Sequence, residues 1–167
     1  SVNQFITTKD AIDHANLQQG FHNVYENFLD DMEDWQTEYG IIATTTPYDW
    51  RLDFNTLVTQ GKKLVNGHIS YLTPPDVGHD PYLIESLKQL ASTSKTGKAT
   101  LITHSMGGLV AKQMMIALGD AETAQYIDKV IFVATPQLGT PKAVGALLHG
   151  YDSGIIGAIS EEKIRDL

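Results

Sequence analysis

The residues best suited to chemistry lie in Leu101-Ile102-Thr103-His104-Ser105-Met106-Gly107-Gly108-Leu109, where an apolar run meets a hydroxyl, two glycines and a return to apolar residues. A serine between a parallel strand and the next helix stands at the carboxyl end of the sheet, where open α/β folds gather their ligands. There it can attack an ester carbonyl, provided that a base takes its proton and donors hold the oxyanion. The pattern Thr103-His104-Ser105-Met106-Gly107 is close to the G-x-S-x-G of a nucleophile elbow, a turn so sharp that the residues two before and two after the serine nearly collide. Gly107 meets that demand. Thr103 replaces the first glycine with a β-branched residue that suits the strand and crowds the turn. Met106 would offer its backbone N–H to the oxyanion at a helix N-terminus, whose dipole favours developing negative charge, and Gly108 would let the helix approach the sheet closely. His104 is not the base, because adjacent side chains in such a turn point apart; it reads as a packed or hydrogen-bonded histidine beside the site. The plainer reading of Ser105 is a helix N-cap.

The elements that must position this serine follow from periodicity. From His22, the residues Tyr25, Phe28, Leu29, Met32 and Trp35 recur three or four apart among acidic residues, as a helix with one buried stripe and one solvated face requires, and Gly40 can close it. Ile41 to Thr46 is a β-branched run stopped by Pro47 and reads as a strand buried on both faces. Residues 57 to 72 are ambiguous, and 73 to 78 form a loop by their turn residues. A second helix starts at Pro81, with Leu83, Ile84, Leu87, Leu90 and Ala91 as its apolar stripe. Ala99 to Thr103 is a strand, Gly107 to Leu118 a helix with Val110, Met114 and Leu118 on one face and Gly119 as its cap, and Lys129 to Ala134 another strand. Strands alternating with helices predict an α/β fold with a parallel sheet and crossover helices. Residues 1 to 21 show no clear period and read as loop with at most one short helical turn.

Composition narrows the classes. A chain of 167 residues with 42% apolar and 19% charged residues has room for one domain with a real core. Its net charge of −8 opposes nucleic acid and anionic membranes as bulk partners. The absence of cysteine removes disulfides, thiolate nucleophiles and thiolate metal sites, and leaves the compartment open. No apolar run reaches the roughly 18 residues of a spanning helix, and no export signal is visible. No metal or cofactor is implied.

Three segments together resemble the α/β-hydrolases of the lecithin:cholesterol acyltransferase-like lipase group. Pro47-Tyr48-Asp49-Trp50-Arg51 resembles that group's P-Y-D-W-R segment, Thr103 to Gly108 its H-S-M-G elbow, and Ala134-Thr135-Pro136-Gln137-Leu138-Gly139-Thr140-Pro141 its T-P-x-L-G-T-P stretch beside the site. Each has a simpler explanation: an Asp49–Arg51 turn, a capped helix, a Thr140-Pro141 helix start. Those do not account for their order and spacing.

The resemblance implies an α/β-hydrolase fold and a serine lipase, esterase or acyltransferase acting on an ester or lipid through an acyl-Ser105 intermediate. It also implies parts that the chain does not offer. The second oxyanion donor belongs to a Gly-rich turn after an early strand, yet residues 1 to 21 hold only Gly20. The acid and the histidine belong after two further strands. The one histidine after Ser105 is His149, and Asp152 follows it in the wrong chain order. Residues 1–167 are therefore expected to be a single partial hydrolase domain, with 150–167 as the start of a lid or cap and the remainder of a parent chain supplying acid and base. Two alternatives stay open: a non-catalytic hydrolase-like binding or scaffold module, and a self-contained site built on His149 and Asp152.

Overall fold

The computed structural model describes residues 7–8, 25–72, 74–141 and 144–145. Two short sheets and four helices make up the described elements.

Strand β1, Thr7–Thr8, lies antiparallel to β3, Ile69–Ser70, which pairs on its other side with β2, Lys62–Lys63. The turn between β2 and β3 closes through Leu64 N–H to His68 O at 2.7 Å and Gly67 N–H to Leu64 O at 2.9 Å, with Gly67 at φ 83°. Helix α1, Glu26–Tyr39, ends where Gly40 takes φ 65° and donates to Gln36 O, the left-handed cap that the glycine offers. Its stripe is less buried than the periodicity predicts: Phe28 and Trp35 are 41% and 43% exposed.

Residues 41–46 are not a strand. Among the described residues they have no ladder partner, and Ile42 is 58% exposed. A β-branched run satisfies its backbone as a strand only where neighbouring strands accept and donate its hydrogen bonds.

The ambiguous region resolves into helix α2, Phe54–Thr59, followed by the β2–β3 hairpin. The Asp53 carboxylate starts α2 by accepting from Thr56 N–H at 2.9 Å and Thr56 Oγ1 at 2.6 Å. Helix α3, Tyr82–Thr93, buries Leu83, Ile84, Leu87 and Ala91, and Pro81 stands at its start. Strand β4, Ala99–His104, leads into α4, Gly107–Tyr126, and then into β5, Ile127–Val133, which pairs in parallel with β4 from Thr100↔Lys129 to His104↔Val133. Within α4, Gly119 at φ 73° and ψ 172° breaks the helix, so the apolar face of Val110, Met114 and Leu118 ends where the glycine predicts and a further helical stretch follows.

The core gathers Leu57 and Val58 of α2, Ile69 of β3, the α3 stripe, Ala99 of β4, Val110 and Met114 of α4, and Ile127 of β5. It lies on one side of the β4–β5 sheet. The other side is open: Ile102, Ile131 and Val133 are 46%, 47% and 45% exposed, whereas a parallel sheet ordinarily buries both faces. The structure is thus α/β with a small parallel sheet. Among the described residues no helix is long and apolar enough to cross a membrane. The lid or cap expected at 150–167, and the pair His149 and Asp152, lie outside the described residues.

Candidate active site

Ser105 and the N-cap residue Met106 are the two residues between the end of β4 and the start of α4. Ser105 N–H still donates to Val133 O of β5 at 2.9 Å, continuing the ladder, while its carbonyl already accepts from Gly108 N–H at 3.2 Å, opening the helix. Serving a strand and a helix at once forces φ to 52°, a left-handed value that costs a side-chain-bearing residue about 1–3 kcal/mol. The side chain is exposed.

Ser105 does not cap the helix. The N-cap residue is Met106, at φ −56° and ψ −28°, and no side chain caps this end. Met106 O accepts from Leu109 N–H at 2.9 Å and Val110 N–H at 3.2 Å, whereas Met106 N–H has no acceptor among the described residues. An unoccupied amide at a helix N-terminus, one residue beyond an exposed hydroxyl, is a donor available to an anion.

The two glycines differ in what they permit. A methyl group on Gly107 would lie 3.5 Å from the Tyr48 hydroxyl and 3.9 Å from Thr103 Cβ, both ordinary contacts, so Thr103 crowds the turn less than the sequence predicts. A methyl on Gly108 would lie 2.1 Å from Thr135 Oγ1, 2.6 Å from Thr135 Cγ2 and 2.9 Å from Phe132 Cδ1. Gly108 is the position where helix and sheet need a bare backbone.

His104 lies beside the serine, and its Nδ1 is 2.7 Å from the Tyr25 hydroxyl, with the two rings edge to face. Burial raises the pKa of Tyr25, and burial followed by the neighbouring Tyr25 raises that of Tyr48, so both phenols stay protonated at neutral pH. Neither tyrosine is visible as a site residue in the sequence, because each reaches the turn from a distant segment: Tyr25 and His104 are 79 positions apart.

Tyr48 is brought there by a locked turn. The Asp49 carboxylate, 3% exposed as a residue, accepts from Arg51 N–H at 3.1 Å, Nε at 2.8 Å and Nη2 at 2.6 Å. The hydrogen bonds from Arg51 hold the Asp49 carboxyl below the ordinary carboxylate range against the opposing effect of burial.

Among the described residues Ser105 Oγ has no hydrogen-bond partner. A groove of about 210 Å³ lies elsewhere, lined by Lys62, Asp76, His79 and Glu85, with Lys62 paired to Asp76 at 2.7 Å and His79 Nδ1 3.5 Å from Glu85 Oε1. Among the described residues no three His, Asp or Glu side chains converge to hold a metal ion.

The chain matches the family described as Lecithin:cholesterol acyltransferase over residues 3–167. No curated protein and no solved structure matches it. The three segments resembling that group and a match over nearly the whole chain carry one conclusion: the protein belongs to the lecithin:cholesterol acyltransferase family, whose activity is of the lipid acyltransferase and esterase type.

Proposed function

We propose that Ser105 is the nucleophile of a serine acyltransferase or lipase with an α/β-hydrolase fold. The observation that carries this reading is Ser105 itself, a residue with a side chain held at φ 52° between a parallel strand and a helix that it does not cap. Backbone strain kept at one exposed hydroxyl is the signature of a nucleophile elbow.

Ser105 Oγ attacks the carbonyl carbon of an ester while its proton passes to a base. The oxyanion that forms is held by Met106 N–H and by the positive end of α4. Collapse breaks the bond to the leaving alcohol, which takes up the proton and leaves the acyl group on Ser105. Water or a second alcohol then attacks the acyl-enzyme, giving hydrolysis or transfer. The base, its acid partner and a second oxyanion donor come from chain beyond the described residues. The exposed outer face of β4–β5, and the run at 41–46 that has no ladder partner among the described residues, support this partial-domain reading, since a parallel sheet ordinarily has both faces covered.

The test is labelling of the full-length protein by a fluorophosphonate probe. Labelling that disappears in Ser105→Ala supports the nucleophile. A full-length protein that the probe leaves unmodified favours the non-catalytic module, which keeps the scaffold and uses it for binding.

A further inference from the structure

Among the described residues, Ala134 is the other non-glycine residue with a left-handed φ, at 49°. It stands at the end of β5 as Ser105 stands at the end of β4, and the two turns are joined through Ser105 N–H and Val133 O. The elbow accounts for the strain at Ser105 but not for that at Ala134. What Ala134 achieves is to turn Thr135 onto Gly108, where its Oγ1 and Cγ2 fill the space that a Cβ would take.

The Thr135 hydroxyl is buried there with no hydrogen-bond partner among the described residues. A buried hydroxyl left unpaired lowers stability, and a valine of the same shape would make the same contact without that cost. The loop that carries it is clamped in place. Gln137 N–H donates to Thr135 O at 2.8 Å, Gly139 N–H donates to Pro136 O at 3.0 Å, and Lys112 of α4 donates to Gln137 Oε1 with its ammonium 5.8 Å over the Phe132 ring. Two strained residues, a glycine that must stay bare and an unpaired hydroxyl thus converge on the first turn of α4, the turn that carries Met106 N–H.

We propose that Thr135 is a positioning residue for acyl transfer, whose hydroxyl is kept against the first turn of α4 to engage it when Met106 N–H takes up the charge of the oxyanion. The inference rests on Ser105 being the nucleophile. The hydroxyl serves the reacting state at the expense of the resting one, so its removal separates rate from stability. A residue of purely structural value cannot do this.

The experiment compares wild type, Thr135→Val, Thr135→Ser and Ser105→Ala in the full-length protein, measuring thermal midpoint, fluorophosphonate labelling rate, and kcat and KM on a short-chain p-nitrophenyl ester. Thr135→Val is expected to hold or raise the midpoint and leave KM unchanged, while labelling rate and kcat fall by between about 10- and 100-fold, the scale of a misaligned reacting group. Thr135→Ser, which keeps the hydroxyl, restores the rate. Thr135→Val reacting like wild type overturns the inference and leaves Ser105 untouched. A Thr135→Val that loses rate and midpoint together marks a structural residue and also overturns it. Wild type reacting no faster than Ser105→Ala overturns the nucleophile and this inference with it.

Discussion

Ser105 pays for its exposure in backbone strain, and that strain is measurable. Ser105→Gly places a residue without Cβ at φ 52°, so it is expected to stabilise the fold by about 1 kcal/mol in chemical denaturation while abolishing fluorophosphonate labelling. A destabilised Ser105→Gly would mean that the left-handed turn is not strained. Asp49 and Arg51 give a second test. Because Arg51 holds the Asp49 carboxyl low, the pair contributes stability above the ordinary carboxylate pKa of about 3.9, and that contribution is lost as pH falls through the lower folded value. Arg51→Ala leaves a buried carboxylate without its main partner and is expected to cost about 1–3 kcal/mol at neutral pH, towards the lower end because the guanidinium side chain is 46% exposed. The cost should shrink in acid, where Asp49 is protonated in both states. A pH-independent cost would show that the loss is one of packing.

At the scale of elements, β4, the turn, α4 and β5 form one βαβ unit whose closest approach is at Gly108, not at Gly107. Gly108→Ala forces a methyl into Thr135 and Phe132 and is expected to cost about 1–3 kcal/mol, the usual range for overpacking. Gly107→Ala meets only Tyr48 and Thr103 at ordinary distances and should change stability by less than about 1 kcal/mol. Paired urea melts decide this, and equal losses would mean that the turn is tighter than the contacts indicate. Residues 41–46 show the complementary case. Their β-branched side chains state a preference for strand, but a strand exists only with a partner, and none is present among the described residues.

At the scale of the molecule, the core occupies one side of the parallel sheet and leaves Ile102, Ile131 and Val133 to solvent. The isolated 167-residue chain is therefore expected to bind an apolar dye such as ANS, to show little or no hydrolysis of p-nitrophenyl esters, and to lose much of its dye binding in Ile131→Lys. Hydrolysis that Ser105→Ala abolishes in the isolated chain would show that the chain is catalytically self-sufficient. The sequence by itself determined the elements whose signals are local. The glycine caps at 40 and 119, the α3 stripe, both parallel strands and the turn at Ser105 depend on neighbours a few positions away, so spacing alone locates them. Only the tertiary structure decided which of those signals were honoured: that residues 41–46 have no ladder partner among the described residues, that Tyr25 and Tyr48 flank the turn, and that Thr135 fills the space above Gly108. Each of these depends on groups far apart in the chain meeting at one point, and packing and ladder hydrogen bonds between distant segments leave no period in the sequence.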